Sequence, residues 1–156
     1  MEYLFLRRRN RSTTSERQKQ LLSKAVRKQW EEDFVRKGME GRKIDFEIYR
    51  SLLYQMEIRM VFLDTSLSLD KLSALVGTNQ TYMSNVVNRY FGCNLKELIN
   101  SYRVEYAKEL LRNGKCLMKD IPKRCGFASK SPFYVAFKKI VGMTPMKYMA
   151  NFKQND

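Results

Sequence analysis

Apolar residues recur along most of this chain at intervals of three and four, with no sustained alternation, so the elements it predicts are helices. Leu22, Val26, Trp30 and Phe34 fall on every fourth position and mark one helical stripe between Glu16 and about Gly38, where Gly38 and Gly41 break the pattern. That helix either lies on the domain that follows, pairs with a second copy, or connects to something upstream. Phe46, Tyr49, Leu53, Met56 and Met60 repeat the three-four spacing and predict a further amphipathic helix, which ends before the turn-like cluster Asp64-Thr65-Ser66.

Beyond Ser68 the pattern occurs twice. The first copy runs through Leu72, Val76, Gly77, Tyr82, Met83, Val86, Val87, Gly92 and Leu98. The second runs through Ile121, Cys125, Gly126, Pro132, Phe133, Ala136, Phe137, Gly142 and Tyr148. From Tyr82 onward the offset is 50, and before it 49, so the second turn carries one inserted residue. Each copy is a short helix, a glycine turn and a second helix with apolar residues at i and i+4, which is the pattern of a helix-turn-helix. Gly77 and Gly126 supply a positive φ at the turns, and Asn79 and Ser129 are placed to cap the second helices. Between the copies, Leu98, Ile99, Tyr102, Ala107, Leu110 and Leu111 predict a long connecting helix over about 95–112, with Asn113-Gly114 as its stop. At 1.5 Å per residue it spans roughly 27 Å, close to the roughly 34 Å of one DNA turn.

The second helix of each copy has a polar face turned away from its apolar one. In the first copy it offers Gln80, Thr81, Ser84, Asn85, Asn88 and Arg89; in the second, Lys130, Ser131, Tyr134, Val135, Lys138 and Lys139. Asparagine and glutamine suit the edge of adenine in the major groove, whereas lysine mostly meets phosphate. A polar helix face is ordinarily a solvated surface. Its recurrence at one register in two copies is what raises it to a candidate site.

Charge sharpens this. The 156 residues carry a net +14, but residues 1–28 hold +7, residues 29–110 hold −1 and residues 111–156 hold +8. A basic chain of this kind favours polyanions, with nucleic acid first and an anionic membrane surface second. The amide-rich first copy lies in the neutral middle, and the second copy lies in the basic end.

The residue inventory removes most other chemistry. With no histidine the chain lacks the commonest general base and metal ligand. It has no G-x-G-x-x-G, no G-x-x-x-x-G-K-[ST] and no paired carboxylates in an apolar setting, so the reading is not an enzyme and needs no cofactor or metal. Cys93, Cys116 and Cys125 lack C-x2-C spacing and are read as reduced packing residues. Tyr3 to Leu6 is an apolar run of four before Arg7-Arg8-Arg9, whereas a membrane span needs about 20 residues. The chain as given therefore reads as soluble and cytoplasmic, with the Tyr3–Arg9 run compatible with the inner end of a membrane anchor.

Arg103, Ala107, Leu110-Leu111, Ile121, Gly126-Phe127, Phe133, Ala136-Phe137-Lys138-Lys139, Gly142, Thr144-Pro145 and Tyr148 resemble the signature of the AraC/XylS family of bacterial transcription regulators. The resemblance covers about residues 45–152. It implies an all-α domain of seven helices, with two helix-turn-helix units (about 68–92 and 117–142) joined by the long helix. A basic arm with an amphipathic helix (1–44) precedes the domain, and a short tail (153–156) follows it.

The resemblance also implies sequence-specific binding of double-stranded DNA. The third and sixth helices would enter successive major-groove segments, with Gln80, Thr81, Ser84 and Asn85 at the bases from the first unit. Lys130, Ser131, Tyr134 and Val135 would contact DNA from the second. By their own charge, Arg89, Lys138 and Lys139 are expected to meet phosphates. RNA polymerase and a second copy, held through residues 16–38, are further expected partners; no small-molecule site is evident. The rival readings are a non-specific basic nucleic-acid coater and the output domain of a membrane-anchored sensor.

Three residues depart from the family pattern. Pro122, where alanine is usual, predicts a fifth helix that starts late or is kinked. Pro132 falls in a first turn, where a missing N–H is harmless. Val135 replaces a common arginine and limits direct readout by the second unit to a thymine-methyl contact or a bond from Tyr134.

Overall fold

The computed structural model describes residues 24, 25, 27, 28, 32 and 43–153. The Leu22–Phe34 stripe, the Gly38/Gly41 break, the Tyr3–Arg9 run and residues 154–156 lie outside that set. The described chain is all-α: α1 Lys43–Leu53, α2 Leu69–Val76, α3 Gln80–Val86, α4 Leu95–Asn113, α5 Ile121–Arg124, α6 Lys130–Val141 and α7 Pro145–Lys153. No strand occurs among the described residues, and none of these helices is long and apolar enough to cross a membrane.

The chain divides into two compact units. Among the described residues the first unit takes in 24, 25, 27, 28, 32, 43–61 and 68–95, and the second takes in 62–67 and 96–153.

In the first unit α1 buries Ile48, Tyr49, Leu52 and Leu53, α2 buries Leu72, and α3 with its extension buries Met83, Val86, Val87 and Tyr90. Tyr49 stacks on Phe91 at 5.1 Å and meets Tyr90 edge-on at 6.1 Å. The C-terminal carbonyls of α2 have no partners within the helix. Two of them are taken by α1 and the turn after it: Ser51 Oγ donates to the Val76 carbonyl at 3.4 Å and Gln55 Nε2 to that of Leu75 at 3.5 Å.

The helix read through Met60 does not continue that far. After Leu53 it widens into a π turn over Tyr54–Ile58, and Met60 takes a left-handed φ of 52°. The three-four spacing persisted by residue type while the backbone had already turned toward Val61–Leu63, a single 3-10 turn that buries Phe62.

Both interhelical turns close in the same way. Thr78 N donates to the Ser73 carbonyl and Phe127 N to the Pro122 carbonyl, six-residue closures around glycines at φ 81° and 94°. The residue inserted in the second turn falls among Phe127, Ala128 and Ser129, and Phe127 fills the core beneath it, 3% exposed. Asn79 caps α3 as expected, its Oδ1 accepting from Tyr82 N at 2.9 Å. Ser129 stands at the equivalent N-cap of α6 with an extended backbone, but its side chain makes no capping bond. Pro132 sits in the first turn of α6, and Pro122 in the first turn of α5. The fifth helix thus starts late, at Ile121, and the proline costs it no internal hydrogen bond.

In the second unit, α4 runs 19 residues, roughly 28 Å. Val104, Ala107, Leu110 and Leu111 on α4 pack with Ile121, Cys125, Phe127, Phe133, Ala136, Phe137 and Tyr148 in one core. Arg103 fastens the Phe62–Leu67 segment to this unit. Its Nε donates to the Phe62 carbonyl at 2.8 Å and one Nη to the Asp64 carbonyl at 3.0 Å, while the guanidinium lies 5.5 Å from the Phe127 ring.

The cysteines are not equivalent packing residues. Cys125 is fully buried, whereas Cys93 and Cys116 are half-buried. Burial disfavours the thiolate and pushes the Cys125 thiol up to about 12. Iodoacetamide at pH 8 should therefore alkylate Cys93 and Cys116 in the native protein and reach Cys125 only in urea. Native-state labelling of Cys125 at a matching rate would contradict a closed core around α5. Because this folded pKa is raised, its contribution to stability is complete below about pH 9 and is lost as pH rises toward 12.

Candidate nucleic-acid interface

α3 divides its residues by side. Met83, Val86 and Val87 face the core, while Gln80, Thr81 and Asn85 are exposed and Ser84 is half-buried. α6 repeats the division: Phe133, Ala136 and Phe137 are buried, Lys130, Ser131, Val135, Lys138 and Lys139 are exposed, and Tyr134 is half-buried. The side chains named from the sequence are therefore gathered on the outward faces of these two helices.

Several of them have intramolecular partners that sequence pattern does not reveal. Gln80 Nε2 donates to Asp70 Oδ1 on α2 at 3.2 Å, which holds its amide against its own unit. Arg89, read as a phosphate contact, donates from Nη1 to Asp45 Oδ2 at 3.3 Å, and the Tyr90 hydroxyl donates to the same oxygen at 3.0 Å. Burial, with Asp45 adding to it, raises the Tyr90 pKa and keeps its hydroxyl a donor. Asp45, Tyr82, Asn85, Val86, Asn88 and Arg89 line an open groove of about 530 Å³ along α3. A nearly buried carboxylate thus sets the position of the one arginine beside the amides.

On α6 the Lys130 ammonium lies 5.1 Å from the centre of the Tyr134 ring, and that ring meets Phe133 edge-on at 5.5 Å. Lys139 Nζ reaches Glu97 Oε1 at 3.3 Å, but both side chains are largely solvated, so the pair is weak. Asp45, Asp70 and Glu97 are the neighbours that sequence reasoning missed. Asp45 and Glu97 lie more than forty positions from the cations they meet, so no local spacing announces them. Among the described residues no group of three or more His, Cys, Asp or Glu side chains could hold a metal ion.

A family model described as a helix-turn-helix domain matches residues 72–151, about half of the chain, and spans both turns and both outward helix faces. The chain belongs to the AraC-type helix-turn-helix family. This AraC-type domain is 31% identical over 85 residues to the melibiose operon regulatory protein of Escherichia coli K12, covering 54% of this chain and 28% of that protein. It is 27% identical over 94 residues to the HTH-type transcriptional activator RhaR of Escherichia coli O1:K1, covering 60% and 33%. The matched segment is thus a third or less of these curated relatives.

Among solved structures, the C-terminal domain of AraT, a response regulator from Geobacillus stearothermophilus, superposes with a TM-score of 0.60 at 26% identity, covering 67% of this chain and 84% of that one. The C-terminal domain of the two-component response regulator yesN from Fusobacterium nucleatum gives 0.56 at 28% identity, covering 62% and 94%. The domain is the DNA-binding module of this family of transcription regulators.

Proposed function

We propose that this AraC-type domain binds a specific double-stranded DNA site and regulates transcription, with α3 and α6 each placed in a major-groove segment. The observation that carries this is the recurrence of an outward face at one register in two helices. Gln80, Thr81, Ser84 and Asn85 on α3 correspond at an offset of 50 to Lys130, Ser131, Tyr134 and Val135 on α6, while Met83, Val86 and Val87 and their equivalents Phe133, Ala136 and Phe137 are buried. A DNA partner places the chain in the cytoplasm, and RNA polymerase and a second copy held through residues 16–38 are the further partners of this reading.

The two helices divide the work. Asn85 presents an amide able to bond adenine at two atoms, which is worth roughly 1–3 kcal/mol of discrimination. Lys130, Lys138 and Lys139 belong to the +8 segment that draws phosphate. Selection from random duplexes with footprinting should return an enriched asymmetric motif of about two helical turns. Binding with a steep salt slope and no enriched motif would instead describe a non-specific coater. On the selected site Asn85→Ala should lose roughly ten-fold or more of the preference over random DNA. Lys138→Ala should weaken both DNAs alike and lower the salt slope by about 0.9. The reverse pattern in filter-binding titrations would sink the division.

A further inference from the structure

Val135 is 69% exposed, more than any other large apolar residue among those described. It stands on α6 one turn beyond the exposed Ser131. The other two outward residues of that turn are occupied with each other, Lys130 lying over the Tyr134 ring and the ring held edge-on by Phe133. Beside its lysines, this face therefore offers one small hydroxyl and one branched hydrocarbon. A valine in a helix is confined almost wholly to one rotamer, so its two methyls are presented without further loss of side-chain freedom. The position equivalent to Val135 in the first unit is Asn85, which carries an amide in place of the hydrocarbon.

We propose that Val135 is a specificity-determining residue that reads the 5-methyl group of a pyrimidine. Among the base edges of the major groove the thymine methyl is the one apolar group, so it is the complement of an exposed valine that has no donor or acceptor. The inference rests on the reading that α6 enters the major groove, and goes beyond it by naming the chemical group read. It chooses Val135 over Tyr134 as the reader of the methyl, because Val135 is the more exposed of the two and presents only hydrocarbon. Recognition of this kind requires the methyl and ignores the exocyclic group beside it. A 5-methylcytosine at the same position is therefore bound better than cytosine, and the second unit responds to cytosine methylation.

The test uses the full chain and the duplex enriched in the selection described above. Each thymine is replaced singly by deoxyuridine, which keeps the pairing and removes only the methyl. Burial of one methyl predicts about four-fold weaker binding at one thymine of the α6 half-site. Val135→Ala should bind the thymine and uracil forms of that position equally, and the unaltered chain should prefer 5-methylcytosine over cytosine there by a comparable factor. A uracil scan with no effect at any position would overturn the proposal without needing a variant. So would a uracil effect that survives in Val135→Ala. Failure to enrich any motif at all would overturn the DNA reading beneath it, a result distinct from a site that is bound tightly but indifferent to its methyls.

Discussion

Gly126→Ala is expected to lower the free energy of unfolding by about 3–5 kcal/mol, a large share of the roughly 5–15 kcal/mol by which whole domains are stable. Gly126 has a φ of 94°, where a Cβ is strained by about 1–2 kcal/mol in any surroundings. Here the surroundings add to that. The new carbon would overlap the Phe62 carbonyl oxygen, stand 2.8 Å from Arg103 Nε and press on Leu63 Cα at 3.1 Å. The backbone atoms cannot swing aside as a side-chain end could, so the Arg103 bond to Phe62 has to break or the turn has to shift. Gly77→Ala supplies the comparison: its φ is 81°, yet nothing lies within 4 Å of the added carbon. It should cost only the conformational strain, about 1–2 kcal/mol. Urea unfolding followed by circular dichroism measures both. Equal losses in the two variants would mean that the close approach of the Phe62 carbonyl is not what requires glycine at 126.

Phe133→Ala should cost about 3–5 kcal/mol, the usual range for emptying a phenylalanine site in a core. Phe133 is fully buried and its ring meets those of Phe127, Tyr134 and Phe137 at 5.5, 5.5 and 5.7 Å. It is the side chain by which the first turn of α6 is seated, so the outward residues Ser131 and Val135 depend on it for their placement. Phe133→Leu, which keeps most of the volume, should cost about 1–2 kcal/mol and retain DNA binding. The same unfolding assay, with footprinting of the selected site, separates the outcomes. If Phe133→Ala left the stability unchanged, the second unit would not be organised around this ring.

Much of this architecture was readable because its information is local. The 49-then-50 offset located both turns, the inserted residue and the two outward faces. The cap at Asn79 and the first-turn place of Pro132 followed from residue type and spacing. Long-range features escaped for one physical reason: periodicity reports which side of an element is apolar, and says nothing about which distant backbone or carboxylate meets it. Gly77 and Gly126 look alike in the repeat, yet only Gly126 has a carbonyl pressed against it. Arg89 reads in sequence only as a phosphate contact, and its Asp45 partner lies 44 positions away. The missed end of the helix at Met60 has the opposite cause, an apolar rhythm that outlasted the backbone carrying it.

The Phe62–Leu67 segment belongs to the second unit although it precedes the first helix-turn-helix in the chain. The boundaries of the sequence repeat are consequently not the boundaries of a transferable part. A fragment beginning at Lys96 would contain the whole second copy yet lack the two carbonyls that Arg103 binds and the ring that packs 5.5 Å from Tyr102. Recombination that exchanged the second reader between relatives would have to carry this hexapeptide with it, or find the same carbonyls waiting in the recipient.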